Sequence, residues 1–212
     1  CSTGNGALTP SDVALANLDQ QRLDQLGLDP RQVQDLYPLS PMQQGMLFHS
    51  LYAQAQGEYI NQMSVCVEGL DPQRFRDAWQ ATVDAHDILR TAFLSGGSLS
   101  QPLQVVQRDV QVPFSYEDWR GRPDQAAAIE SLAAQQRTTG FALERAPLLA
   151  LQLLRLDEQR YQLIYTSHHI LMDGWSNAQL LAEVLQRYSG GAVADQPGRY
   201  RDYIAWLSQQ DP

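Results

Sequence analysis

Segments with a two-residue apolar rhythm and segments with a 3.6-residue rhythm take turns along this chain. That alternation favours folds in which helices cover a sheet. Residues 72–86 put Phe75, Ala78, Trp79, Thr82, Val83 and His86 on one helical face. Residues 123–137 do the same with Ala126, Ile129, Leu132 and Ala133, and residues 176–188 with Leu180, Leu181, Val184, Leu185 and Tyr188. A short helix is expected over 17–26, closed by Gly27, followed by a loop at Asp29-Pro30. Another helix begins near Pro41: Ser40 suits the N-cap, Pro41 the first helical position, and Gln43 completes a capping box. Strands are expected over 61–67, 88–94, 103–106, 148–156 and 161–167, with turns at Gly96-Gly97 and at Asp157-Glu158-Gln159. The expected fold is α/β, a two-layer sandwich of a mixed β-sheet with helices.

The 212 residues suffice for one sizeable domain or for part of a larger one. A net charge of −9 argues against nucleic acid as a partner, because such binders carry a basic face. No apolar run is long enough to span a bilayer, so no membrane partner is expected. Residues 1–16 open on CSTGNGALTPSD, which has no basic stretch ahead of an apolar one and reads as linker or remnant rather than a secretory signal. The only cysteines are Cys1 and Cys66. Cys66 lies in a strand-like run and is expected as a small core residue. No Cys/His spacing resembles a metal site, so no metal is expected, and a cytoplasmic protein without disulfides is the default.

Chemistry concentrates at His168 and His169, an adjacent pair among four histidines. They end a strand and open the stretch HHILMDG, 168–174. Side chains alternate across a strand, so if extension persists through the pair the two rings diverge and do different jobs. Asp173 can cap the following helix, whose free N–H groups favour developing negative charge. That combination suits acyl transfer, which needs proton handling and support for an oxyanion. On spacing alone, a satisfied structural pair explains the two histidines equally well.

The stretch HHILMDG is similar to the HHxxxDG signature of condensation domains of nonribosomal peptide synthetases, whose fold resembles chloramphenicol acetyltransferase. Four further segments resemble that family in order and spacing: YPLSPMQQGMLFH at 37–49, HDILRTAF at 86–93, FALERAPLL at 141–149 and YRDYIAW at 200–206. Three departures stand out. Ala85 replaces an arginine that usually precedes His86, Asn177 rather than the tryptophan of epimerization domains follows Ser176, and the remaining motifs do not occur. The resemblance implies that residues 17–212 are the amino-terminal lobe of a pseudo-dimeric domain, with the carboxyl-terminal lobe absent.

The implied activity is amide formation between a donor aminoacyl or peptidyl thioester and an acceptor aminoacyl thioester, both on carrier proteins. The implied partners are donor and acceptor peptidyl carrier domains, the missing lobe and a neighbouring adenylation domain. Phosphopantetheine would arrive on the carriers, with no cofactor bound to this chain. His169 is expected nearest the acceptor amine, as general base or as a positioning group. His168 supports it, and Gly174 lets the backbone turn closely. Asp173 is expected to be structural, pairing with Arg90 to hold the loop. Two other readings remain: a non-catalytic module that docks carriers, and a coenzyme A-dependent acyltransferase of the same superfold.

Overall fold

The structure is a computed structural model and describes residues 7–52, 59–97, 99–172, 177–193 and 198–210. Among the described residues seven strands form two sheets. β1 (Val33–Pro38), β4 (Leu103–Gln107) and β3 (Thr91–Leu94) make an antiparallel sheet in the order β1-β4-β3. β2 (Ile60–Glu68), β7 (Arg160–His168), β6 (Leu149–Arg155) and β5 (Phe114–Asp118) make the second, in the order β2-β7-β6-β5. The second sheet is mixed, because β5 runs parallel to β6 while the other neighbours are antiparallel. Helices α1 (Gln20–Gln25), α2 (Pro41–Tyr52), α3 (Pro72–Ala85), α4 (Gln125–Thr139), α5 (Asn177–Tyr188) and α6 (Tyr200–Leu207) complete the described elements with three short 3-10 turns.

The α/β architecture read from the sequence holds, and strand alternation explains how the mixed sheet is covered. Leu151, Leu153, Leu163 and Tyr165 project from one face into a core with Phe75, Trp79 and Val83 of α3 and Leu180 and Val184 of α5. Leu154 and Ile164 project the other way and meet Ala133 of α4. Helices therefore lie on both faces. The three-stranded sheet has its own two faces. Leu36, Ala92 and Val105 pack on Val13, Ala16 and Leu23, while Tyr37 and Val106 pack on Ile204 of α6. Val13 and Ala16 are fully buried, so packed structure starts within the stretch read as linker.

The structure corrects several local expectations. β1 and β5 are not among the expected strands. β1 carries Asp35 and ends at Pro38, and β5 (FSYED) is a polar, mostly exposed edge strand, so neither shows an apolar alternation. Residues 87–90 form a 3-10 turn rather than strand. Cys66 is exposed on β2, not in the core. Met46 and Leu47 are buried as expected, but Met42 on the same helix is exposed. Leu185, assigned to the buried stripe of α5, is also exposed, and Ala126 of α4 faces solvent.

The capping box at α2 forms as the sequence dictates. Gln43 N–H donates to Ser40 Oγ at 3.1 Å, and Ser40 N–H donates to Gln43 Oε1 at 3.0 Å. Gln43 also pairs amide to amide with Gln104 of β4, which donates to Gln43 Oε1 at 2.9 Å and to the carbonyl of Pro38. Both glutamines are fully buried. Ser40→Ala should cost about 1 kcal/mol. Gln43→Ala should cost about 2–3 kcal/mol, because it also strands a buried amide. Urea melts that rank the two variants in the reverse order would refute this assignment.

Candidate functional site

β7 carries the chain to His168 and then gives way to a 3-10 turn, His169–Met172. Extension thus stops between the two histidines, yet the rings still diverge. His168 is 5% exposed and His169 is exposed. Backbone contacts hold both: His168 N–H donates to Leu148 O at 2.9 Å, and His169 N–H donates to Tyr59 O at 2.7 Å.

The His168 ring is occupied with structure. Its Nδ1 accepts from Ile170 N–H at 3.0 Å, which leaves the proton on Nε2, 3.4 Å from Ser50 Oγ of α2. The Tyr59 ring stacks on it with centroids 6.2 Å apart. Burial, with a smaller effect from charge on His169, pushes its pKa down to about 4. His168 is therefore neutral near pH 7, and protonating it opposes folding.

The sign of the linkage follows. An unfolded histidine titrates near 6.5, so the unfolded chain takes the proton first as pH falls, and stability drops between about 6.5 and 4. The loss from this group should reach about 2 kcal/mol between pH 7 and pH 5. His168→Gln should flatten that part of the pH dependence in denaturant melts. An unchanged slope would show that His168 does not titrate this way.

His169 turns its ring toward β2, where Asn61 Nδ2 lies 3.0 Å from His169 Nδ1. Asn61 stands directly across the ladder from Ser167. Beside it, Asn61, Gln62, Met63, Tyr165, Asn177 and Leu181 line a cleft of about 180 Å³. Burial pushes the Tyr165 phenol up to about 12, so it remains a neutral donor, and it reaches Asn177 Oδ1 at 3.3 Å. The cleft thus holds uncharged hydrogen-bonding groups beside an exposed imidazole. The meeting of Asn61, Tyr165 and Asn177 carried no signal in the sequence, because it depends on strand pairing and on where α5 begins.

Asp173 and Gly174, with Trp175 and Ser176, lie outside the described residues. Arg90 is expected to pair with Asp173, which lies outside the described residues, and it has four partners within them. It is buried at the end of the 3-10 turn Asp87–Arg90. It donates to Asp87 Oδ1 at 2.8 Å, to Gln34 Oε1 and Gln107 O at 2.6 Å each, and to Val83 O at 3.2 Å. Its observed work is to tie α3 and the turn to β1 and β4. His86 is the C-cap of α3 and contacts Glu183 Oε2 of α5 at 2.7 Å, which is a helix-pairing role. His49 sits exposed in the last turn of α2.

The profile of the condensation domain family matches residues 33–212. The chain is 41% identical over 216 residues to a linear gramicidin synthase of Brevibacillus parabrevis, covering 97% of this chain and 4% of that protein. It is 37% identical over 185 residues to bacitracin synthase 3 of Bacillus licheniformis, covering 84% of this chain and 3% of the other. The chain thus spans a small part of these relatives. Its fold superposes on the NRPS cyclization-docking bidomain EpoB of Sorangium cellulosum with a TM-score of 0.72, at 23% identity, over 89% of this chain and 39% of that one. The starter condensation domain of rhizomide synthetase RzmA gives a TM-score of 0.70 at 22% identity, over 82% of this chain and 43% of that one. Matched along most of its length by the family profile and by these synthases, the chain belongs to the condensation domain family of nonribosomal peptide synthetases.

Proposed function

We propose that this chain is the amino-terminal, histidine-bearing lobe of a condensation domain that joins a donor acyl thioester to an acceptor α-amine, both carried on phosphopantetheine arms of partner carrier domains. The single observation that carries this reading is the split of the histidine pair: His168 is buried and neutral, while His169 is exposed beside a polar cleft. Family membership supplies the reaction class. Coverage of 39% and 43% of two solved relatives supports assignment to one lobe of a larger domain.

In the proposed reaction the neutral amine nitrogen attacks the thioester carbonyl carbon. The carbonyl oxygen becomes an oxyanion and the nitrogen an ammonium. The carbonyl then re-forms as the carbon–sulfur bond breaks, and the ammonium proton leaves with the thiolate as free thiol. The α-amine titrates near 8, so little base strength is needed near neutral pH. Holding the amine in line and supporting the oxyanion are then the larger contributions. His169 is the group assigned to that centre, and His168 supports it from the end of β7. Arg90 supports the lobe through Asp87, Gln34 and the two backbone carbonyls.

The test offers the full-length parent of this chain the same acyl donor on a carrier domain and on coenzyme A, with an aminoacyl carrier as acceptor. Amide should form on the acceptor carrier from the carrier-bound donor and at least about tenfold more slowly from coenzyme A. Preference for coenzyme A would favour an acyltransferase of the same superfold. Binding of loaded carriers without amide would favour a docking module.

A further inference from the structure

We infer that Asn61 is a positioning residue that holds the His169 ring with its proton on Nε2, so that His169 meets the reacting thioester as a hydrogen-bond donor rather than as a base. The Asn61 amide nitrogen faces His169 Nδ1 at 3.0 Å. An amide N–H can only donate, so Nδ1 must offer its lone pair, and the neutral imidazole then carries its hydrogen on Nε2. Among the described residues Nε2 has no protein partner.

The contact is anchored on both sides. His169 N–H is held by Tyr59 O at 2.7 Å, two residues before Asn61 on the same segment. Asn61 itself is fixed in the β2–β7 ladder opposite Ser167, two residues before His169. The segment spanning Tyr59 and Asn61 therefore grips the turn through one backbone and one side-chain bond. His168 shows the same arrangement by other means, with Nδ1 accepting from Ile170 N–H. Both rings thus have Nδ1 as acceptor.

A hydrogen on Nε2 suits the chemistry derived above. The neutral amine needs no base to attack, whereas the oxyanion gains from a fixed donor. The mechanistic part of this inference rests on the amide-forming reading, but the tautomer does not.

The experiment uses Asn61→Asp, which keeps the side-chain size while replacing the donor with an acceptor. Asn61→Ala, which leaves the ring unheld, is the second variant. The chain is labelled with 15N-histidine and observed about two pH units above the ordinary histidine value, where the ring is neutral. His169 is identified by the signals lost in His169→Gln. In the wild type Nδ1 should be pyridine-like and Nε2 pyrrole-like. Asn61→Asp should exchange these two signatures, and Asn61→Ala should average them.

In the full-length parent, kcat for amide formation should fall about 100-fold in Asn61→Asp, with KM changed less than about threefold. A wild-type ring already protonated on Nδ1 would overturn the inference, as would His169 signals that ignore both substitutions. An exchanged tautomer with undiminished kcat would overturn the donor role. A wild type that makes no amide would overturn the functional reading, while the spectra would still decide the tautomer.

Discussion

His169→Ala should lower the rate of carrier-to-carrier amide formation by about 10²- to 10³-fold while leaving the fold intact. The magnitude is that of removing one preorganised donor from an oxyanion site. The fold should survive because the ring is exposed and the backbone bond from His169 N–H to Tyr59 O remains when the side-chain bond to Asn61 is lost. The informative companion is His169→Gln, which returns an N–H near the position of Nε2 but no usable base. Partial recovery with Gln, to within about tenfold of wild type, is the expected result for a donor. If Gln were as inactive as Ala, a proton-accepting imidazole would be the better account. Single-turnover rates, with circular dichroism of each variant, provide the comparison.

The largest expected effect on stability is at Trp79. Its side chain is fully buried on α3, packed edge-on against Phe75 at 6.4 Å and tilted against Tyr165 at 5.1 Å. It lies where α3, α5 and the mixed sheet meet. Trp79→Ala should cost about 3–5 kcal/mol, through lost burial and the cavity left in a packed core. Against a typical domain stability of about 5–15 kcal/mol, that is enough to leave a marginal fold.

The indole Nε1 is buried without a hydrogen-bond partner among the described residues. Trp79→Phe removes that stranded donor as well as some volume, so it should cost about 1–2 kcal/mol. Chemical denaturation of the three proteins tests both figures. A Phe variant as unstable as the Ala variant would mean that the indole nitrogen is satisfied after all.

What could be read from the sequence was set by how local its physics is. The α2 start was legible because Ser40, Pro41 and Gln43 act on each other within one turn, and the capping box appears with both bonds in place. The α3 stripe was legible because Phe75, Ala78, Trp79, Thr82 and Val83 are all buried at helical spacing. β5 was illegible because an exposed edge strand has no buried face to mark its period.

At the site, His168 and His169 diverge as expected, although the extension on which that expectation rested ends at His168. The hold on His169 was not legible, since Asn61 lies 108 positions earlier and meets it only through the β2–β7 register. For Arg90, the expected partner Asp173 lies outside the described residues, and Asp87, three positions before it, is an acidic partner within them.

The mass of the acceptor carrier tests amide formation centred on His169 most directly. The full-length parent would be incubated with a loaded donor carrier and a loaded acceptor carrier, beside its His169→Ala variant. Intact-protein mass spectrometry should show the acceptor carrier gaining the donor acyl group with the wild type, and at most a trace of it over the same interval with the variant. An acceptor carrier that never gains that mass with the wild type, or gains it equally fast with both proteins, would contradict the assignment.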